Sequence, residues 1–216
     1  MRIAISGGIG SGKSAVTAIL RSLGACVVVA DEVNAELLRD KDYIDLIENT
    51  FPCVVHNKVI NKKELADLVY NDEEKRALLM RLAHPRIFER MFSAYPEAKV
   101  VFYEISLLSK TDVCFDKVWF VYSDRDVRVR RIVERDGVSD EMAYRLISLQ
   151  REEDLLREKA DVVIDNSGTT EDLCQTVKAL PSPSTTWRAF NRISISLSPN
   201  RRTNTTFASC ISAAKK

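Results

Sequence analysis

Apolar positions along the chain form two kinds of pattern. Five short stretches are almost continuously apolar, which is typical of strands buried on both faces of a parallel sheet. These stretches are residues 2–6, 25–30, 99–105, 117–123 and 160–165. Between them, apolar residues recur every three or four positions, which predicts amphipathic helices. Strands that alternate with helices in this way predict an α/β domain with right-handed crossover connections.

The helical pattern is clearest directly after the first strand. Val16, Ile19 and Leu20 fall on one helical face, and Gly24 stands where a helix stop is expected. Further helices are predicted at residues 31–39, 62–70, 72–94, 124–135, 139–158 and 169–179. The segment 40–95 is mostly helical and separates the second strand from the third, which indicates an inserted helical subdomain.

Composition limits the class of protein. With 216 residues, 45% of them hydrophobic, the chain can form one sizeable domain with a small subdomain. It contains no run of 18 apolar residues, which argues against a membrane span, and its first residues lack the apolar core of a secretory signal. Its five cysteines are widely separated and have no CxxC spacing, so we expect neither a disulfide framework nor a zinc site, and a reducing cytoplasm fits best.

The net charge of +1 hides an asymmetry between the body and the end of the chain. Residues 181–216 carry six basic residues and no acidic one, so residues 1–180 carry 26 basic and 31 acidic residues, a net charge of −5. A basic surface for nucleic acid is therefore not indicated for the body. The tail 181–216 is rich in Ser and Thr and lacks periodicity, and we expect it to be disordered.

A glycine-rich stretch between the first strand and the first helix carries the strongest chemical signal. The sequence Gly7-Gly8-Ile9-Gly10-Ser11-Gly12-Lys13-Ser14 fits the pattern G-x-x-x-x-G-K-[ST]. Glycines let consecutive N–H groups curl around one anion, and the following helix adds its positive end. Lys13 is placed to reach the β and γ phosphates and Ser14 to offer a hydroxyl to Mg²⁺. A flexible turn is the alternative, but the strand before it and the amphipathic helix after it favour a triphosphate site.

A carboxylate and a group of arginines add to this picture. Asp31 follows the second strand, at the sheet edge where ligands gather. Its carboxylate could take a proton from an attacking hydroxyl. On position alone, an equal alternative is that Asp31 caps the next helix. Segment 124–158 is dense in arginines that could close over a transferring phosphoryl group. They are Arg125, Arg128, Arg130, Arg131, Arg135, Arg145, Arg151 and Arg157. Because acids are equally dense there, we expect most of them on a solvated surface and one to three in contact with phosphate.

Six blocks of sequence together resemble one enzyme family. The blocks GGIGSGKS, ADEV, LAHPRI, RRIVERDGVS, SLQ and ADVVIDNSG, in this order and spacing, resemble dephospho-CoA kinase over residues 1 to about 180. The resemblance implies an α/β fold of the three-layer P-loop NTPase type, with a five-stranded mainly parallel sheet, a helical substrate subdomain at about 40–95 and a helical lid at about 124–158. It also implies transfer of the γ-phosphoryl group of ATP to the ribose 3′-hydroxyl of dephospho-CoA, giving CoA and ADP. The partners so implied are ATP and dephospho-CoA, with Mg²⁺ as cofactor and without nucleic acid or membrane, and the chain is expected to be a monomer or a weak homo-oligomer.

The resemblance also assigns roles to individual residues. Asp31 matches the catalytic aspartate, which strengthens the general-base interpretation. Arg131 matches a lid arginine position, and Lys13 is the third residue for which a catalytic role is implied. Ser14 is the expected metal ligand. The residues implied to bind ATP are Gly8, Ile9, Gly10, Ser11, Gly12, Lys13, Ser14, Ala15 and Asn166.

Three of the implied roles have structural alternatives. Asn166 falls where such kinases approach the adenine, with an Asn that forms a turn as the alternative. His84 is an implied substrate contact, with a buried, hydrogen-bonded histidine at a helix boundary as the alternative. Lys62 is the other implied substrate contact, at a position where the family commonly has Arg.

Departures from the family pattern leave other functions open. Val29 stands where the family often has Asp, Ala15 where it usually has Thr, and Ser106 where it has Pro. The nearest alternative is a P-loop kinase for another small acceptor, such as a nucleoside or nucleoside monophosphate. A nucleotide-dependent switch and a relative that has lost activity are the others; the chain lacks the Asn-Lys-x-Asp pattern of GTP-specific switches.

Overall fold

The computed structural model describes residues 1–70 and 72–180, so the tail that we expect to be disordered lies outside the described residues. The chain divides into two compact units. We call the first the sheet unit, which comprises residues Met1–Val27 and, of the described chain, 97–180. The second is the helical unit, Val28–Pro96, which begins earlier in the chain than the helical segment at 40–95.

The elements alternate in the way that the apolar pattern predicts. In chain order they are β1 (Arg2–Ser6), α1 (Lys13–Ser22), β2 (Cys26–Val29), α2 (Ala30–Leu37), α3 (Lys41–Thr50), β3 (Val55–His56), β4 (Val59–Ile60), α4 (Lys62–Tyr70), α5 (Glu73–Ser93), β5 (Val101–Glu104), β6 (Lys117–Tyr122), α6 (Arg125–Asp136), α7 (Asp140–Leu149), α8 (Arg151–Asp154), β7 (Val162–Asp165) and α9 (Thr170–Ala179). Short 3₁₀ turns cover Pro52–Val54, Leu108–Lys110 and Leu155–Lys159.

The predicted strands form one five-stranded parallel sheet, in the order β2-β5-β1-β6-β7. β1 is central, and its Ile5 pairs with Glu104 of β5 on one side and with Trp119 of β6 on the other. The central strands are apolar throughout because helices cover both faces, as the near-continuous apolar runs indicate. Since the strands are parallel, their carboxyl ends meet at one edge, and the loops that follow β1, β5, β6 and β7 all leave from that edge.

The helical unit has a core of its own. Tyr43 and Ile47 of α3 are almost fully buried and pack with Phe51, Leu65 of α4 and Ala83 of α5. Helix α3 was not among the predicted helices, although its segment was expected to be mostly helical. The apolar periodicity of this unit thus predicts that it is mostly helical but does not predict each of its helices.

One local feature was not predicted, and one local prediction was wrong. The chain forms a small antiparallel hairpin from β3 and β4, with Asn57 and Lys58 at positive φ in its turn, within a segment that was expected to be mostly helical. Residues 139–158 are not one helix, because α7 ends at Leu149 and Gln150 leaves the helical region (φ −106°, ψ 25°) before α8 begins. The side chain of Gln150 accepts a hydrogen bond from the Ile9 N–H at 2.8 Å, a tertiary contact that periodicity does not reveal.

Within the described chain, we find no helix that combines the length and the apolar character needed to cross a membrane.

Candidate phosphate-binding site

The glycine-rich loop joins β1 to α1 at the carboxyl edge of the sheet. Gly12 has φ +87°, and a β-carbon there would overlap the side-chain amide nitrogen of Asn166. Gly10 has φ +77°, and a β-carbon there would lie 2.9 Å from the Arg128 carbonyl oxygen. Left-handed backbone and close neighbours therefore require glycine at both positions.

The N-terminus of α1 is built to receive an anion. Its N-cap, Gly12, offers no side chain to the first turn, so the N–H groups of Lys13 and Ser14 have no acceptor within the helix. The first turn also carries no acid, whereas every other described α-helix of eight residues or more carries at least one there. The positive end of α1 is therefore left for an external negative charge.

Lys13 adds a flexible cation to the same loop. Its ammonium group donates to the Gly7 carbonyl oxygen at 2.6 Å and to the Gly8 carbonyl oxygen at 3.4 Å, so the side chain lies back across the loop. A phosphate would offer stronger acceptors than these carbonyl oxygens, because hydrogen bonds between two charged groups are the stronger ones.

The carbonyl oxygen of Ser11 anchors the loop to the rest of the sheet unit. It accepts hydrogen bonds from the Ser123 hydroxyl at 3.0 Å and from the side-chain amide of Asn166 at 2.8 Å. Asn166 is 4% exposed, and the turn that follows it is stabilised by Asp165, whose carboxylate accepts from the Ser167 N–H at 2.9 Å. The side chain of Asn166 therefore supports the loop, and its turn-forming alternative is not what the structure shows.

Arg131 joins this network with an unneutralised charge. Its guanidinium donates to the Ser123 hydroxyl and the Asn166 carbonyl oxygen, both at 2.9 Å, and more weakly to carbonyl oxygens of Gly10 and Ser11. All of these acceptors are neutral. Burial, together with the neighbouring Arg130, lowers the pKa of Arg131, so the structure holds a charge at some electrostatic cost beside the loop. A bound phosphate would offset that cost.

Arg128 is a residue of this region whose position the sequence did not reveal. It is one of eight arginines of which most, without distinction, were expected on a solvated surface, and it is 6% exposed. Its Nε donates to the Ile9 carbonyl oxygen at 2.8 Å, and its Nη1 lies 2.9 and 3.0 Å from the two carboxylate oxygens of Asp154. A β-carbon on Gly8 would overlap the same guanidinium. Arg128 thus holds α6 and α8 against the glycine-rich loop.

Glu153 is a second residue that sequence reasoning missed. It is 1% exposed, and its carboxylate accepts hydrogen bonds from the Ser6 hydroxyl, from the Leu108 N–H at 3.2 Å and from the Ser109 N–H at 3.1 Å. Glu153 therefore ties α8 to the end of β1 and to the loop after β5. It stands in a run of acids, 152–154, in which nothing distinguishes the buried member from its neighbours.

Side chains with oxygen atoms lie at the start of α1 and at the end of β5. The Ser14 side chain is exposed, and Glu104, at the end of β5, accepts a hydrogen bond from the Thr17 hydroxyl at 2.7 Å. Glu104 is 8% exposed. A hydroxyl and a carboxylate are ligand types that suit Mg²⁺.

Three predicted site residues belong to the helical unit. Asp31 is the exposed second residue of α2; the N-cap is Val29, which makes no side-chain cap, so the capping alternative for Asp31 is wrong. Lys62 is exposed and begins α4. His84 lies inside α5 rather than at a helix boundary, is half-buried, and packs edge-on against Phe88 with ring centroids 6.1 Å apart.

Comparison with known proteins gives a consistent answer. A family model described as dephospho-CoA kinase (CoaE) matches residues 1–172. Dephospho-CoA kinase of Fusobacterium nucleatum is 34% identical over 184 residues, 82% of this chain and 95% of the relative. Dephospho-CoA kinase of Corynebacterium glutamicum is 36% identical over 183 residues, 80% of this chain and 92% of the relative.

Solved structures agree with the sequence matches. The crystal structure of TT1252 from Thermus thermophilus has a TM-score of 0.71 at 30% identity and covers 92% of this chain and 98% of its own. Dephospho-CoA kinase from Campylobacter jejuni has a TM-score of 0.56 at 27% identity, over 82% of this chain and 93% of its own. The chain is a member of the dephospho-CoA kinase family.

Proposed function

We propose that this protein transfers the γ-phosphoryl group of ATP to the ribose 3′-hydroxyl of dephospho-CoA, giving CoA and ADP. The observation that carries the proposal is the uncapped, acid-free N-terminus of α1, which begins with Lys13 and follows a loop in contact with Arg131, whose charge meets only neutral acceptors. Family membership supplies the acceptor.

The triphosphate is bound by the glycine-rich loop. The N–H groups at the start of α1 receive phosphate oxygens, while Lys13 leaves the Gly7 carbonyl oxygen to contact the β and γ phosphates. Arg131 supplies positive charge to the transferring group, and its network with Ser123 and Asn166 keeps the guanidinium in position. Positioning and charge neutralisation are the main contributions that such a reaction requires.

Magnesium fits the oxygen groups at this site. Ser14 would bind the ion through its hydroxyl, and Glu104 is the carboxylate of the sheet edge available to orient the ion's water ligands. When bound, the ion would neutralise charge on the β and γ phosphates.

Asp31 is proposed as the group that accepts the proton of the attacking 3′-hydroxyl. Its position in the first turn of α2 leaves the carboxylate exposed, as access to a substrate requires. Lys62 and His84 are proposed contacts of dephospho-CoA in the helical unit.

The proposal is tested by ADP release with ATP, Mg²⁺ and dephospho-CoA, run beside adenosine and nucleoside monophosphates, with mass spectrometry of the product. We expect conversion of dephospho-CoA to CoA and no product from the other acceptors. Turnover of another acceptor alone would overturn the assigned substrate, and ATP binding without transfer to any of them would overturn the kinase activity.

Two variants with matched controls test the roles. Lys13→Ala and Asp31→Asn are each expected to lower kcat about 100-fold or more. Arg21→Ala, at the other end of α1, and Glu32→Gln, beside Asp31, should retain wild-type kcat. Undiminished turnover of Asp31→Asn would contradict its role as the base.

A further inference from the structure

The first residues of the glycine-rich loop restrain their own backbone very little. Gly7, Gly8 and Gly10 surround Ile9, which is the one residue of positions 7–10 with a side chain. Glycine restricts the backbone less than any other residue, so such a stretch keeps a single conformation only where other groups fix it. Contacts from outside the loop therefore determine where its N–H and C=O groups point.

Ile9 is the corner of a tight turn. The Ser11 N–H donates to the Gly8 carbonyl oxygen at 3.2 Å and closes the turn. Gly10 has φ +77°, as the third residue of a type II turn requires. The closing hydrogen bond of such a turn uses neither the N–H nor the C=O of the second residue. Both groups of Ile9 are therefore left for partners outside the loop.

Helices α6 to α8 hold every part of Ile9. The Ile9 N–H donates to the side-chain oxygen of Gln150 at 2.8 Å, and the Ile9 carbonyl oxygen accepts from Nε of Arg128 at 2.8 Å. The Ile9 side chain packs against an apolar cluster of α6 and α7. The buried members of this cluster are Val129, Ile132, Ala143 and Ile147. The position of the turn thus depends on the helices that were expected to form the lid.

These contacts also orient groups that Gln150 and Arg128 do not touch. In a trans peptide the C=O and the N–H point in opposite directions, so Gln150, by fixing the Ile9 N–H, also fixes the Gly8 carbonyl. The Gly8 carbonyl oxygen accepts from the Ser11 N–H and, at 3.4 Å, from the ammonium group of Lys13. Arg128 fixes the next peptide in the same way and thereby orients the Gly10 N–H. Among the described residues, that N–H has no hydrogen-bond acceptor.

Gln150 is itself held firmly at the junction of two helices. Its N–H donates to the Ile147 carbonyl oxygen of α7 at 3.1 Å, and its own carbonyl oxygen accepts from the Glu153 N–H of α8 at 3.0 Å. The residue is half-buried. Because its backbone is bonded to both helices, its side-chain oxygen is presented to the loop from a fixed place, as a positioning group requires.

We propose that Gln150 is a positioning residue for the bound triphosphate and acts through the peptide group between Gly8 and Ile9. Its side-chain oxygen keeps this peptide in the orientation that closes the turn, while Arg128 keeps the Gly10 N–H facing the phosphates. Without that oxygen, the Ile9 N–H loses its partner, and the peptide rotates among several orientations. ATP binding must then pay for ordering the loop. This role rests on the proposed function, since it concerns the same nucleotide site.

Gln150→Met tests the role, because Met is similar in length and lacks the acceptor oxygen. In the full chain without nucleotide, hydrogen exchange of the Ile9 N–H, followed by NMR, should become at least about tenfold faster. ATP affinity, measured by calorimetry with Mg²⁺, should fall about tenfold. The KM for ATP should rise while the KM for dephospho-CoA stays unchanged, a difference that a general loss of stability would not produce.

Two further variants show whether the acceptor oxygen is responsible. Gln175→Met makes the same substitution at an exposed position of α9, and it should retain the wild-type Ile9 exchange rate and ATP affinity. Gln150→Glu keeps an acceptor oxygen, and its Ile9 exchange rate should stay close to that of the wild type.

The outcomes separate this role from the proposed function. If the wild type binds ATP and Gln150→Met binds it equally well, the positioning role is overturned and the proposed function stands. Equal weakening by Gln175→Met, or Ile9 exchange in Gln150→Glu as fast as in Gln150→Met, would also overturn the role alone. Absence of ATP binding by the wild type would instead overturn the proposed function, and the positioning role with it.

Discussion

The two units of the protein bury opposite kinds of side chain. All eight buried polar or charged residues of the described chain belong to the sheet unit, and they are Ser6, Ser11, Thr17, Glu104, Ser123, Arg128, Glu153 and Asn166. The described core of the helical unit is apolar, and its ion pairs, such as Lys58 with Asp45, are exposed. Polar burial is costly unless each group is paired, so it is found where the protein must hold donors and charges in fixed positions.

This contrast teaches that the same substitution has different consequences in the two units. In the helical unit, a truncated side chain loses packing and leaves a cavity. In the sheet unit, a truncated polar side chain leaves its former partners unpaired and also releases a loop that is proposed to bind phosphate. Substitutions in the sheet unit should therefore change stability and nucleotide binding together. Substitutions in the helical unit should change stability without changing nucleotide binding.

Truncation of the apolar core should give the largest loss of stability. Ile47 is 0% exposed, and Ile47→Ala should lower the free energy of unfolding by about 4 kcal/mol, through lost burial and a residual cavity. Chemical denaturation measures the loss, and calorimetry on the folded fraction should give wild-type ATP affinity. Val59→Ala is the control, because Val59 is 64% exposed in the same unit and its truncation should change stability little. If Ile47→Ala lowered ATP affinity in parallel with stability, the contrast between the helical unit and the sheet unit would be wrong.

Glu153→Ala should give the next largest loss, about 3 kcal/mol, because it removes the acceptor of the Leu108 and Ser109 N–H groups and leaves the buried Ser6 hydroxyl with only the Ile105 carbonyl oxygen as a partner. Here ATP affinity should fall together with stability. Glu152→Ala, at an exposed neighbouring position, is the control. Glu153→Gln keeps an acceptor oxygen and should recover part of both losses. Equal effects of Glu152→Ala and Glu153→Ala would show that burial of Glu153 is not what matters.

The apolar frame of both units could be predicted from sequence, since burial repeats with the period of the element. All five sheet strands and the helix after the glycine-rich loop follow from such patterns, and that loop is recognised because its glycines are a backbone requirement. The buried polar groups could not be predicted in this way. Arg128 stands among arginines that are mostly exposed, and what distinguishes it is a carbonyl oxygen 119 residues away in sequence. Glu153 depends in the same way on partners from β1 and from the loop after β5.

A matched pair of glycine substitutions tests why the loop requires glycine at position 12: because a side chain would overlap a neighbour, or because the backbone is left-handed there. Gly12→Ala should destabilise the protein by about 2 kcal/mol, because it combines a left-handed backbone with overlap on Asn166, and ATP affinity should fall as Asn166 moves. Gly137→Ala, at the end of α6, meets no atom within 4 Å but also has positive φ, +67°. It should lose only about 1 kcal/mol and retain ATP affinity. Thermal unfolding and calorimetry of the two variants separate the contribution of the overlap from that of the left-handed backbone. Equal losses of stability in the two variants would mean that backbone strain alone explains the requirement for glycine.

The smallest effect is expected for an exposed ion pair of the helical unit. Asp40 caps α3 by accepting from the Tyr43 N–H at 3.1 Å, and its other oxygen pairs with Arg90 of α5. The Tyr43 backbone N–H and then Arg90 lower the pKa of Asp40 below its ordinary value of 3.8. A carboxylate whose pKa is lowered by folding adds stability above its unfolded pKa, and that stability is lost as the pH falls through the lower, folded value.

Asp40→Asn isolates the charge in this pair, because Asn is as good an N-cap as Asp. At pH 7 we expect Tm to fall by about 1–2 °C, since exposed pairs contribute little. The difference from wild type should shrink as the pH is lowered below 4 and Asp40 becomes protonated, and it should also shrink in high salt. Lys75→Gln removes the partner of the Asp72 cap of α5 and is the matched control for a second exposed pair. A difference that persists unchanged at low pH would mean that the geometry of the pair matters rather than its charge. The helical unit would then share the dependence on fixed polar contacts that otherwise distinguishes the sheet unit.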